Sequence, residues 1–138
     1  MNTLYTTSAT AIGGREGHVK SADGQIDMNL KTPGAPGDNK GTTPEDLFAS
    51  GYAACFNGAF NLAARLKRIR TGEVSITVEI SLNKTDEGKL QLAAKITAHV
   101  SGVDEKTARE LAEDAHGICP YSRATQGNIP VQIEVVSV

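Results

Sequence analysis

The sequence predicts an α+β fold, with antiparallel sheet packed on a long buried central helix and a second, amphipathic helix. Three observations carry this. Residues alternate polar and apolar in short segments at both ends of the chain. One central stretch is apolar on all sides, and a later one repeats its apolar positions with helical spacing. The order is therefore strands, helix, strands, helix, strand, an arrangement that segregates helices against antiparallel sheet.

Each element follows from its residues. Residues 3–12 are rich in Thr, Tyr and Ile and read as a strand. Gly13, Gly14 and Gly17 mark a turn around Arg15, residues 19–21 return, and residues 25–30 make a third strand. Residues 33–41, with their prolines and glycines, read as a loop. A helix starts at Pro44, with Thr43 as N-cap, Pro44 at the first helical position and acids in the first turn. It is expected to run to residue 70, basic at its end, with Gly72 as its breaker. Residues 73–84 and 90–100 form a hairpin about Asp86-Glu87-Gly88. Residues 104–116 form the amphipathic helix, with Gly117 at C′. Val131, Ile133 and Val135 belong to a closing strand. A helix apolar all round is hard to bury in 138 residues, so a homodimer sharing that surface is expected.

Composition bounds the function. A chain of 138 residues, 39% hydrophobic and 22% charged, reads as one globular domain, 1–138. A formal charge of −2 with dispersed signs suggests neither nucleic acid nor membrane as partner. The first residues lack the pattern of a secretory signal, so a cytoplasmic location is expected. There, cysteines are more often catalytic, redox-sensing or metal-binding than structural.

The two cysteines are Cys55, inside the central helix, and Cys119, just past the second helix. Cys55 is read equally well as a buried core residue or as a nucleophile. Gly51 and Gly58 beside it cost about 1 kcal/mol each in a helix relative to alanine, and such residues usually admit a close neighbour. Cys119, placed after a helix C-terminus, has no help in ionising and is a better second nucleophile than a first. His116 and Cys119 have metal-ligand spacing, but no CxxC pair accompanies them, so no metal site is expected. Alone, Arg15 reads as a turn arginine and Glu45 as a helix-start acid.

The run Gly41-Thr42-Thr43-Pro44-Glu45-Asp46-Leu47-Phe48-Ala49-Ser50-Gly51-Tyr52-Ala53-Ala54-Cys55-Phe56 resembles the first motif of the Ohr (organic hydroperoxide resistance) proteins, within the OsmC-like group. Cys119-Pro120-Tyr121-Ser122-Arg123-Ala124-Thr125-Gln126-Gly127-Asn128 resembles their second. The tyrosine after Cys119-Pro120 and the Gly127-Asn128 pair resemble the Ohr branch more than the OsmC branch. The resemblance covers essentially the whole chain.

The resemblance implies an intertwined homodimer with two active sites at its interface, acting as a thiol peroxidase on organic and fatty-acid hydroperoxides. By motif position, Cys55 matches the peroxidatic cysteine and Cys119 the resolving one. Arg15 matches the arginine that contacts the thiolate, and Glu45 the glutamate that holds that arginine. No bound cofactor is implied; the reductant is a dihydrolipoyl group on a partner protein. Glu45 and Cys55 lie ten residues apart, about 15 Å along one helix. A compact cluster then needs a kink, a long arginine span or a Glu45 from the second subunit, and the last is expected. Arg15 on its glycine turn is read as a lid over Cys55. Phe48, Phe56 and Phe60 are candidates for an apolar substrate approach, with core packing expected for at least two of them. The alternatives are a non-enzymatic peroxide sensor and a small-molecule binding protein with inert cysteines.

Overall fold

A computed structural model describes residues 1–34 and 40–138, so part of the Pro/Gly loop read at 33–41 lies outside the described residues. The chain divides into two compact units, Met1–Leu47 and Phe48–Val138.

The first unit is a three-stranded antiparallel meander of β1 (Ala9–Ile12), β2 (His18–Ser21) and β3 (Asp27–Asn29), in the order β1-β2-β3. The first strand is shorter than its composition suggests. A strand lasts only as long as its partner, and β2 offers four residues, pairing Ala9 with Ser21 through to Ile12 with His18. The β1–β2 connection is a 3₁₀ turn, Gly14–Glu16. Gly13 and Gly14 adopt φ of 83° and 65°, the left-handed region that glycine enters without strain. Gly17 is needed for space: a Cβ there would lie 1.8 Å from the Ile12 carbonyl oxygen.

The meander buries little apolar surface. All four residues of β1 are exposed, Ile12 at 77%, and Leu4 and Tyr5 lie out in solvent. His18 bridges two strands: Nδ1 lies 2.8 Å from Asn29 Oδ1 and Nε2 2.5 Å from Asp27 Oδ1. The hydrogen bond to Asn29 and then the one to Asp27 raise its pKa above 6.5, against desolvation and the nearby Lys20.

Helix α1, Pro44–Leu66, starts as its residues dictate. The Asp46 N–H donates to Thr43 Oγ1 (3.0 Å), and Asp46 Oδ2 accepts from the Thr43 N–H (3.2 Å). This reciprocal cap satisfies two otherwise orphaned donors. The helix ends earlier than expected. Arg68 takes φ of 55°, with the Ile69 N–H on Ala64 O and the Arg68 N–H on Arg65 O. That is a Schellman closure with arginine in the position usually held by glycine, so Gly72 is not the breaker.

In the second unit, β4 (Val74–Lys84) and β5 (Leu90–Val100) pair antiparallel in register from Val74–Val100 to Lys84–Leu90. The closing strand β6 (Val131–Ser137) pairs with β5 in parallel, which corrects the expectation of purely antiparallel sheet. The chain returns through two helices before entering β6, so it runs in the same direction as β5. These are α2 (Glu105–Ile118), capped by Asp104, and a short α3 (Pro120–Thr125). Gly117 is inside α2, not at C′; Cys119 ends α2 and begins α3 because Pro120 cannot continue the first helix.

The core gathers Tyr52, Phe56, Phe60 and alanines of α1, Ile96, Ala98 and Val100 of β5, and Ala108, Leu111, Ala112 and Ala115 of α2. Only one face of α1 is covered within the chain. Ala54, Gly58, Asn61 and Arg65 form an exposed stripe at helical spacing, and a Cβ on Gly58 would meet nothing within 4 Å. Among the described residues, no helix is long and apolar enough to cross a membrane.

Two predictions follow from local geometry. Gly117→Ala, in open space within α2, is expected to stabilise by about 1 kcal/mol, and Gly17→Ala to destabilise by more than about 1 kcal/mol, both read from urea midpoints. For His18, the folded pKa exceeds the unfolded 6.5. Its stabilisation is therefore full below pH 6.5 and is lost as pH rises through the folded value. An NMR titration of the imidazole should give a midpoint above 6.5 that falls in Asn29→Ala.

Candidate active site

The sulfur atoms of Cys55 and Cys119 lie 3.3 Å apart, with the Cys119 thiol directed at Cys55. Both are free thiols, Cys119 fully buried and Cys55 partly so. The approach joins residues 64 apart in sequence. Cys55 is held by the core-facing side of α1 and Cys119 by the α2–α3 junction.

Burial pushes the Cys55 thiol up from its ordinary value of 9.0, because the charged form loses hydration. The backbone N–H of Tyr121 opposes this by hydrogen bonding to the sulfur. That donor is free for a local reason. Pro120 has no N–H, and the next residue in the first turn of α3 has no intrahelical acceptor. Proximity to Cys119 pushes the thiol up further, since two sulfurs this close cannot both ionise.

Tyr121 also explains Gly51. A Cβ on Gly51 would lie 2.8 Å from Tyr121 Oη and 3.2 Å from its ring carbons. The tyrosine ring thus lies directly on the α1 backbone, one turn before Cys55. Phe48, Tyr52 and Tyr121 form a ring cluster with centroids 5.8–6.2 Å apart. Beside it opens a cavity of 450 Å³ lined by Phe48, Leu92, Tyr121, Ala124 and Ile129, mostly apolar, with Asn128 and Thr125 as polar groups. The cavity shares Tyr121 with Cys55: the side chain forms its wall and the N–H meets the sulfur. Of the three phenylalanines considered, Phe48 lines this cavity, whereas Phe56 and Phe60 are fully buried in the core.

Within the first unit, Arg15 and Glu45 form a two-pronged ion pair: Nη1 to Oε2 at 3.0 Å and Nη2 to Oε1 at 2.7 Å. The glycine turn presents the arginine, and the first turn of α1 presents the carboxylate. The hydrogen bond from Arg15 holds the Glu45 carboxyl below the usual carboxylate range, against some desolvation. The pair closes inside one chain, within the unit that does not hold the two cysteines.

Among the described residues the buried His116 Nδ1 has no hydrogen-bond partner, and burial lowers the pKa of the imidazole below 6.5. Among the described residues, no three His, Cys, Asp or Glu side chains gather as a metal ion requires. Sequence reasoning missed three features: the Tyr121 N–H at Cys55, the Tyr121 ring on Gly51, and a buried hydroxyl cluster of Tyr52, Ser122 and Thr125. The signal available was Pro120 followed by Tyr121, together with a glycine inside a helix.

The α+β chain thus brings two free thiols to near-contact distance in one dithiol site. The family model described as OsmC-like protein matches residues 37–134. The chain is 43% identical over 136 residues to the organic hydroperoxide resistance protein-like 1 of Staphylococcus saprophyticus, covering 97% of this chain and 96% of that one. It is 42% identical to the organic hydroperoxide resistance protein OhrA of Bacillus subtilis, covering 96% of each chain. Among solved structures, an organic hydroperoxide resistance protein from Elizabethkingia anophelis superposes with a TM-score of 0.92 at 42% identity, covering 100% of both chains. OhrB of Bacillus subtilis gives 0.92 at 39% identity, over 97% of this chain and 100% of that one. The chain belongs to the OsmC/Ohr family.

Gly51→Ala tests the packing of Tyr121. It is expected to keep or raise the Tm, through helix propensity, while displacing the ring. The readout is a change in Tyr121 near-UV circular dichroism and faster alkylation of Cys55 by iodoacetamide.

Proposed function

We propose that the protein is a thiol peroxidase that reduces organic hydroperoxides, fatty-acid hydroperoxides among them, to alcohols. The observation that carries this is the 3.3 Å approach of Cys119 to Cys55. The relatives, named for resistance to organic hydroperoxides, and the apolar cavity beside Tyr121 support the substrate class.

In this reading the Cys55 thiolate attacks the O–O bond. One oxygen passes to sulfur as a sulfenic acid and the other leaves as the alkoxide, which takes a proton to become the alcohol. Arg15 supplies the cation that a desolvated thiolate needs and a donor for the departing oxygen, and Glu45 fixes the guanidinium plane through two parallel bonds. Cys119 then displaces hydroxide from the sulfenic acid, forming the Cys55–Cys119 disulfide. A dithiol reductant of dihydrolipoyl type, carried on a partner protein, restores both thiols by exchange. No bound cofactor or metal enters the cycle. The exposed Ala54–Gly58 stripe of α1 and the unburied strands of the meander are covered by a second copy in a homodimer. The cytoplasm suits an enzyme whose resting state is a free dithiol.

The test is a stopped-flow assay with cumene hydroperoxide and dihydrolipoamide. The wild type should turn over and Cys55→Ser should be dead. Cys119→Ser should complete one fast oxidation and then stall with Cys55 over-oxidised. Arg15→Ala should lower kcat/KM by about 10²–10³-fold and shift Cys55 alkylation to higher pH. Stoichiometric oxidation without turnover points to a sensor, and no reaction at all points to a binding protein with inert thiols.

A further inference from the structure

Three buried hydroxyl groups join the helix that carries Cys55 to the helix that follows Cys119. Tyr52 Oη lies 2.8 Å from Ser122 Oγ and 3.2 Å from Thr125 Oγ1, and Thr125 Oγ1 donates to the Ser122 carbonyl oxygen at 3.1 Å. Tyr52 and Ser122 are fully buried and Thr125 nearly so. Counting protons gives the cluster one direction. Thr125 spends its only hydroxyl proton on the Ser122 carbonyl, so it can only accept from Tyr52. Tyr52 then has no proton left for Ser122, so Ser122 donates to Tyr52. The ring runs Ser122 Oγ to Tyr52 Oη to Thr125 Oγ1 to the Ser122 carbonyl, and every hydroxyl hydrogen is used.

Its position bears on the chemistry. Tyr52 precedes Cys55 by three residues on α1, and Ser122 follows Cys119 by three residues in α3. The ring therefore ties together the two backbones that hold the sulfurs, roughly one helical turn from each. It fixes the same α3 turn whose Tyr121 N–H meets the Cys55 sulfur. We propose that Tyr52, Ser122 and Thr125 are positioning residues for disulfide closure, holding Cys119 within reach of Cys55. A sulfur–sulfur bond of about 2.05 Å then needs a shift of little more than 1 Å from the present 3.3 Å. This rests on the peroxidase reading for its redox step. In that step the Cys119 thiol attacks the Cys55 sulfenic acid, the S–S bond forms, the S–O bond breaks, and hydroxide leaves with the Cys119 proton as water. A resolving thiol kept in place should outrun a second peroxide, which would otherwise carry Cys55 to the sulfinic acid.

Tyr52→Phe removes the central hydroxyl and keeps the ring packing; Ser122→Ala is the second variant should the first fail to fold. The first readout needs no hydroperoxide: the Cys55–Cys119 dithiol–disulfide equilibrium in a glutathione redox buffer. The effective concentration of the two thiols is expected to fall at least tenfold in either variant, a quantity that an equal loss of stability in both redox forms does not move. The second readout is the ratio of sulfinic acid to disulfide per turnover by mass spectrometry. It should rise at least tenfold. An unchanged effective concentration in the folded variants overturns the proposal. If the effective concentration falls but wild type consumes no hydroperoxide, the positioning role stands and the peroxidase reading fails.

Discussion

A thiol drawn partly out of water resists losing its proton, and much of the architecture around Cys55 answers that cost. Desolvation is the largest influence on this sulfur, and only a fixed donor or a cation can offset it. The fold supplies a backbone donor through a proline: Pro120 ends one helix, starts another, and leaves the Tyr121 N–H unclaimed by the helical ladder. A backbone donor cannot rotate away as a side chain can. In the proposed peroxidase the stronger remedy is a permanent cation, Arg15, whose guanidinium Glu45 clamps flat within the first unit.

The same site illustrates what small residues accomplish. Gly51 lets an aromatic ring rest on a helix backbone, so the wall of the cavity and the donor to the sulfur belong to one residue. Gly58, two turns on, faces open space within the chain. In the proposed homodimer such a glycine leaves room for the second copy. The strands of the meander point the same way, since none of their residues is buried and a three-stranded sheet without a covered face cannot hold its shape by burial.

Much of this was legible in the residues, and the limits have physical causes. The β4–β5 hairpin was readable because its alternation and its turn agree, and Gly88 takes the left-handed conformation that the turn requires. The start of α1 was readable because Thr43, Pro44 and Asp46 all cap it. Direction was not: a strand alternates with period two whether its neighbour runs parallel or antiparallel, so the parallel entry of β6 left no mark. Ends were poorly marked where tertiary closure decided them. Arg68 ends α1 in a conformation its identity does not announce, and Gly117 lies inside a helix because the stop signal is Pro120. In the site, both cysteines and the arginine–glutamate pair came from motif resemblance. Tyr52, Ser122 and Thr125 went unread because a hydroxyl cluster spanning some 70 residues leaves no local pattern.

The separation of the two sulfurs along the chain has a mechanical consequence. A covalent bond between residues 64 apart closes a long loop, and the loss of freedom in the unfolded chain corresponds to about 4 kcal/mol. That is a large share of the stability of a domain this size. A cycle that makes and breaks such a bond would move the protein between a less stable reduced form and a more stable oxidised one. A reductant would then work against the folding energy of its substrate protein as well as against a sulfur–sulfur bond.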